Sequence, residues 1–384
     1  MPAVWAVMAL VCAVFVCGDT GFGQTNAQEA NEANVVQCIL SYKPSGFDLR
    51  LQAEATSLKE KKGPDFAAGN VSRGAFQTFP KSAEPMLFVW DRTQGKLYID
   101  LNNNLDLTDD ANGVFSSREL SKYQFNDMQV EKQVGDVPVA YVINAQIFPS
   151  ASYYSFRMNS GFEGKVQLAG RDLRVLLADN LNGVIGRGDF FAITSADSNF
   201  SPPAEPTDND APQEVFLDGR GWAVSYDFAI VEDRPCVRVK FKEITKPTGQ
   251  VRIDGSFIRY MSLKDDRTMI VLERPGEKVT MPLGTYILRQ VYMDAGVAGM
   301  LQRSNFGTDT IRVEKDRIET IKAGGPLSNT VEVKRVGRIL QFNYKLVGAD
   351  GKSYVTIIRD DKKTPKFAVY KSDRQIGSGT FKFG

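Results

Sequence analysis

Met86-Leu87-Phe88-Val89-Trp90-Asp91-Arg92-Thr93-Gln94-Gly95-Lys96-Leu97-Tyr98-Ile99-Asp100 decides the fold class. Two apolar runs of strand length flank Thr93-Gln94-Gly95, and aromatic and β-branched residues on either side of a Gly-bearing turn describe a β-hairpin. The same device recurs along the chain. Lys165-Val166-Gln167-Leu168 turns at Ala169-Gly170-Arg171-Asp172 into a second apolar run, 173–177. Asp218-Gly219-Arg220-Gly221, Val336-Gly337-Arg338 and Ala349-Asp350-Gly351-Lys352 punctuate further runs of the same kind. Helical periodicity is scarce, with room for one short turn at 118–123. Short strands between Gly- and Asp-bearing turns predict an all-β chain of two or three β-sandwich or barrel-like domains joined by short linkers.

The 384 residues have room for that many domains. Three β blocks are expected: 35–148, carrying an acidic Asp/Asn loop; 150–245, with a long loop at 198–212 containing Pro202, Pro203, Pro206 and Pro212; and a basic sandwich, 246–384, opening at Lys246-Pro247-Thr248-Gly249. The net charge of +1 conceals an asymmetry. Residues 246–384 hold 25 Lys and Arg against 15 Asp and Glu, whereas 1–245 hold 22 against 31. An acidic half attracts cations, and a basic half suits an anionic envelope polymer or polysaccharide. No run of five like charges occurs, so scattered surface charge is the plainer reading, and no nucleic-acid partner is expected.

The first residues predict export. An apolar run from Ala3 to Val16 gives way to small and polar residues, with Thr25-Asn26-Ala27 presenting small residues where a signal peptidase reads. Cleavage after Gly18 is the alternative site. The run is about 14 residues against the roughly 20 a spanning helix needs. A signal peptide over 1–27 is therefore expected, although no Lys or Arg precedes it and an uncleaved N-terminal anchor is the rival. No other segment is apolar enough to cross a membrane, so the mature chain is expected in the periplasm, at the cell surface or outside the cell. Cys38 and Cys236 remain in the mature chain, either bridged or as two buried thiols.

The chain contains no histidine. That removes Ser-His-Asp and Cys-His catalysis, the common zinc sites and a His general base. Carboxylate-pair glycosidase and Ser-Lys chemistry survive, yet no motif singles out two acids.

The remaining chemistry lies in Asp100-Leu101-Asn102-Asn103-Asn104-Leu105-Asp106-Leu107-Thr108-Asp109-Asp110. Oxygen-bearing side chains at alternate positions are how a compact loop supplies the six to eight oxygens that Ca2+ takes. Asp100, Asn102, Asn104, Asp106 and Thr108 fall at the first, third, fifth, seventh and ninth places of an EF-hand-like loop. Two departures stand out. Leu105 replaces the Gly of the sharp bend, and Ala111 replaces the closing acid, for which Asp109 or Asp110 would have to substitute. The competing reading is a polar turn in which Asn and Asp bond their own backbone.

A degenerate copy follows at Ala178-Asp179-Asn180-Leu181-Asn182-Gly183-Val184-Ile185-Gly186-Arg187-Gly188-Asp189. Asn180, Asn182 and Asp189 match oxygen-bearing places and Gly183 the bend, but the first place is Ala178, so Asp179 would have to shift register. A Gly-rich hairpin turn is the alternative. Arg187-Gly188-Asp189 also spells an adhesion tripeptide, although Asp189 is better used within the loop.

Residues 85–384 resemble uncharacterised secreted bacterial all-β proteins. In these a strand ending in Asp-x-Asn-x-Asn precedes a second loop of the Asn-Gly…Gly-Asp type and a C-terminal immunoglobulin- or transthyretin-like sandwich. Glu277-Lys278-Val279-Thr280-Met281-Pro282-Leu283-Gly284-Thr285-Tyr286 resembles the strand, Pro-x-Gly turn and Tyr-bearing strand of such a sandwich, which form a hairpin there. The resemblance implies envelope location and calcium-supported β-structure, and no activity. The expectation is an exported, non-catalytic cell-envelope protein with a structural or ligand-binding role. A glycan-active hydrolase is the second reading, for which Trp90, Trp222, Tyr153, Tyr154 and Tyr226 would be sugar-stacking candidates if they were not core residues.

Overall fold

The computed structural model describes residues 35–66, 70–76, 85–117, 123–147, 154–196, 211–294, 300–303, 309–356 and 366–381. The expected signal segment, most of the 198–212 loop, Tyr153 and nearly all of the 118–123 turn lie outside the described residues. Within them the chain is all-β, and the one helical element is a single 3-10 turn, Ala111–Gly113. No helix is long and apolar enough to cross a membrane among the described residues.

The hairpins follow their turn chemistry. Met86–Asp91 pairs with Lys96–Ile99, and the Asp91 carboxylate accepts the Thr93 and Gln94 N–H groups at 2.8 and 3.1 Å. Gly161–Leu168 pairs with Arg171–Ala178 through Ala169 and Gly170, both at positive φ. That geometry is a primed turn, whose twist matches the strands it joins. Glu214–Leu217 and Arg220–Val231 are joined the same way through Asp218 and Gly219.

The largest sheet passes through the block limits read from the sequence. Its strands lie in the order Phe190–Ser195, Arg171–Ala178, Gly161–Leu168, Val35–Lys43, Arg234–Ile244, Arg220–Val231 and Glu214–Leu217. Thr268–Glu273, Ile258–Lys264 and Gly284–Asp294 continue it, and Ser328–Val336 ends it. The junction is a parallel pairing of Glu214–Leu217 with Thr268–Glu273. Alternation at this junction serves two cores. Val215, Leu217, Met269 and Val271 face the larger one, while Phe216, Ile270 and Leu272 face a second core built from residues 216–354. A strand buried on both faces needs a near-continuous apolar run, which Thr268-Met269-Ile270-Val271-Leu272 supplies.

Two smaller sheets lie against the larger core. One contains Leu49–Leu51, Tyr154–Met158, Val137–Ile147 and Gln124–Val134. The other runs Ala53–Ala55, Val71–Phe76, Met86–Asp91, Lys96–Ile99 and Val114–Ser116. In the latter, Met86, Phe88 and Trp90 enter the large core, and Leu87 and Val89 form a separate small core with Tyr98 and Leu107.

One motif behaves differently from its expected form. Lys278–Pro282 and Gly284–Asp294 do not pair with each other. The first pairs with Thr248–Asp254 and the second with Ile258–Lys264, so Pro282-Leu283-Gly284 carries the chain from one sheet to another. The Tyr286 ring lies over Gly284, where a Cβ would come within 2.8 Å of the Tyr286 hydroxyl. The contact is local, two residues on in the same strand, and the Tyr286 hydroxyl donates to the Leu283 carbonyl at 3.3 Å.

Candidate functional site

The strand Lys96–Ile99 delivers Asp100 into the interior, where it is fully buried. Its carboxylate accepts the Asn104 N–H at 3.2 Å and the Leu105 N–H at 3.0 Å. Asn102 Oδ1 also accepts from Asn104 N at 3.0 Å, Asn104 Oδ1 from Asp106 N at 2.6 Å, and Asp106 Oδ1 from Thr108 N at 3.0 Å. Alternate polar side chains thus each bond the backbone two residues on, the local turn favoured by Asn and Asp. Leu105, in the place where Gly was wanted, adopts a left-handed φ of 65°. It is held there by packing on the small core, into which Leu107 is also inserted, and by its carbonyl, which accepts from Lys61 N at 2.7 Å.

The acidic residues of this loop divide into two groups. Asp106 is turned outward onto the exposed Lys62 ammonium at 2.9 Å; the Thr108 hydroxyl and Lys62 hold its carboxyl down to about 2. Asp109 accepts from the Asn104 amide at 2.7 Å. Asp110 is 7% exposed, receives the Leu101 N–H, and has a buried Oδ2 without a hydrogen-bond partner. Burial first, and the neighbouring Asp100 charge second, push its carboxyl up to about 6.

The second loop follows Arg171–Ala178 and has the same construction. Asp179, wholly buried, accepts the Asn182 N–H at 3.2 Å and the Gly183 N–H at 3.1 Å. Asn180 Oδ1 accepts from Asn182 N, and Asn182 Oδ1 accepts from Val184 N. Positive φ falls at Leu181 and Gly183, two and four residues after Asp179, one position earlier than Asn103 and Leu105 stand after Asp100 in the first loop. Each loop has an acid ten residues after its first one, Asp110 and Asp189, and each of these receives the N–H of the residue following that first acid. The sequence reading placed Ala178 first and gave Asp179 that role only on a register shift; Asp179 is the residue that bonds the loop N–H groups, and the equal spacing of the acids was available to reveal it.

The loops differ in their partners. Asp189 places its second oxygen on the Gly186 N–H at 2.6 Å, where Asp110 has nothing equivalent. Asp179 also receives the hydroxyl of the buried Tyr141. Among the described residues no three His, Cys, Asp or Glu side chains are gathered as a metal-ligating group. Oxygens of Asp100, Asn102, Asn104 and Asp106 accept backbone N–H groups, Asp110 Oδ2 has no hydrogen-bond partner, and two of the candidate ligands are Asn amides. Each accepting oxygen carries a second lone pair that one N–H donor does not consume.

The other sequence candidates take structural roles. Trp90, Trp222 and Tyr154 are buried in the large core, and Tyr226 packs against it with its hydroxyl on the Pro212 carbonyl at 2.8 Å. Cys38 and Cys236 are buried free thiols on adjacent strands, but Cys38 lies opposite Val239 and Cys236 opposite Ser41. Three positions of offset put them on opposite faces of the sheet. Comparison with protein-family models, curated proteins and solved structures gave no match.

Proposed function

We propose that this is an exported, non-catalytic cell-envelope protein whose Asp100–Asp110 loop takes a calcium-type cation that holds the first β sheets together. The observation that carries the reading is the buried, unpartnered Oδ2 of Asp110 beside the buried Asp100 carboxylate. Two carboxylates out of water at close range call for a positive charge, and Lys62 is spent on Asp106 at the surface. Asp100, Asn102, Asn104 and Asp110 are the residues that would contribute oxygens, with Asp109 and Thr108 at the rim. A cation bound only by the folded chain stabilises it by mass action, about 2.7 kcal/mol at a hundred times its dissociation constant. The role is structural: Leu107 and the Lys61–Leu105 bond tie this loop to the small core, so ordering the loop orders that sheet. Anionic envelope polymers are the proposed partners of the basic C-terminal block, by charge complementarity alone.

Thermal unfolding of residues 28–384 during calcium titration, with chelator and magnesium controls, tests the reading. A calcium-specific rise in midpoint that disappears on Asp100→Asn together with Asp110→Asn is expected. An unchanged midpoint at millimolar calcium would reduce the loop to a hydrogen-bonded turn.

A further inference from the structure

Ser328–Val336, the last strand of the large sheet, is exposed along its whole length. It pairs with Ile339–Val347 across a two-residue turn at Gly337 and Arg338. A second hairpin, Lys366–Lys371 with Arg374–Thr380, turns at Ser372 and Asp373. The two hairpins stack through aromatic rings: the Phe342 and Phe367 centroids lie 4.8 Å apart, and those of Tyr344 and Phe381 5.0 Å apart. These contacts fix the relative direction of the hairpins. Stepping from Tyr344 to Phe342 approaches the Gly337-Arg338 turn, and stepping from Phe381 to Phe367 approaches the Ser372-Asp373 turn. Both turns therefore lie at one end of the stack.

That end mixes apolar and cationic side chains. Val336, Ile339 and Leu340 are 49%, 66% and 45% exposed at the first tip, and Tyr370 and Ile376 are 60% and 58% exposed at the second. Val336 lies opposite Ile339 and Leu340 opposite Arg335, so apolar side chains stand on both faces of the first hairpin. Lys334, Arg335 and Arg338 are interleaved with them, and Lys371 and Arg374 flank the second turn; the single acid within 334–340 and 370–376 is Asp373. Arg335 is held at its turn by donating Nε–H to the Gly337 carbonyl at 3.0 Å. A soluble polyanion offers aliphatic side chains nowhere to bury, and a second copy would set like charges face to face. An anionic bilayer meets both needs, with headgroup phosphates for Lys and Arg and the acyl boundary for the aliphatic tips.

We propose that the paired tips at 334–340 and 370–376 dock onto an anionic lipid surface. This deepens the envelope reading, on which it rests for location, and is independent of the Asp100–Asp110 loop. Cosedimentation of residues 28–384 in chelator tests it, using vesicles of equal parts phosphatidylcholine and phosphatidylglycerol, vesicles of phosphatidylcholine alone, and soluble dextran sulfate as competitor. The parent should pellet with the anionic vesicles only. Val336→Thr with Ile339→Thr and Leu340→Gln should weaken that binding more than about tenfold and leave the thermal midpoint unchanged. Arg338→Gln with Arg374→Gln should weaken it most at low salt. In an Ile339→Trp variant the added indole should be quenched by bromine-labelled phospholipid, while the buried Trp90 and Trp222 of the parent are not. A parent that stays in solution, or an added indole that lipid bromine does not quench, overturns the proposal. Binding that survives the three apolar substitutions and yields to dextran sulfate would overturn it in favour of a charged polymer. Dimers of the parent that those substitutions abolish, with no vesicle binding, would overturn it in favour of a second copy. A chain that pellets but whose midpoint ignores calcium upholds this proposal and refutes the loop reading; one that calcium stabilises and that stays in solution does the reverse.

Discussion

Tyr141→Phe isolates the hydrogen bond that holds the second loop closed. Tyr141 and Asp179 are each 1% exposed, and the hydroxyl donates to Asp179 Oδ2. Phenylalanine keeps the ring and leaves no cavity, so the change removes one bond to a buried carboxylate and little else. Hydrogen bonds to charged groups contribute about 1.5–3 kcal/mol. Because the same oxygen keeps the Gly183 N–H at 3.1 Å, the lower half of that range applies, about 2 kcal/mol. For a cooperative unit of 150–250 residues this is a fall of about 4–8 °C in midpoint. Urea unfolding followed by the fluorescence of the buried Trp90 and Trp222 reads it directly, with an unchanged denaturant slope. Asp179→Asn in the Tyr141→Phe background should cost less than the sum of the two single changes, by about 1 kcal/mol, because the partners touch. A Tyr141→Phe midpoint equal to that of the parent, or strictly additive costs, would refute the view that Asp179 is a buried anion held by this hydroxyl.

Glu60 and Arg73 form a two-pronged ion pair at 2.8 and 2.5 Å, and the Arg73 guanidinium lowers the Glu60 carboxyl below its ordinary value. A group whose folded value is depressed contributes stability above its unfolded value and loses it as pH falls through the folded one. The stability difference between the parent and Glu60→Gln should therefore be full at neutral pH, begin to fall near the ordinary carboxylate value of about 4 and vanish only below the depressed folded value, and denaturant midpoints across pH would show it. A pH-independent difference would mean that the pair acts by packing alone. The cysteines provide a third check. Burial pushes the Cys38 thiol up to about 12, and its Sγ donates to the Lys165 carbonyl. Both thiols should be inert to a disulfide reagent in the native protein and react together on unfolding; one that reacts in the native state would contradict its burial.

Local patterns were legible without the structure because they depend on adjacent residues. Apolar runs flanking Gly-bearing turns announced the hairpins at 86–99, 161–178 and 214–231, and the turn in which Asn and Asp bond their own backbone was one of two readings open for Asp100, Asn102 and Asn104. The Pro282-Leu283-Gly284 corner was read as a hairpin because its residues suit a reversal equally well; only the competing partners on Thr248–Asp254 and Ile258–Lys264 distinguish the two. Leu105 shows the converse, a residue whose type argued against a sharp bend and which packing holds in one.

By itself the sequence determined the all-β class that the described residues show, because backbone preference and burial period are properties of a few neighbouring residues. Tertiary structure decided which strands meet: Val35–Lys43 between Gly161–Leu168 and Arg234–Ile244, and Glu214–Leu217 parallel to Thr268–Glu273. It also decided the charge around each loop, bringing Lys132 to Leu181 and Tyr141 to Asp179 while leaving Asp110 with an unpaired oxygen. Those partners are distant along the chain, and in a low-dielectric interior the balance of a buried carboxylate depends on what the fold places beside it rather than on what precedes it in sequence.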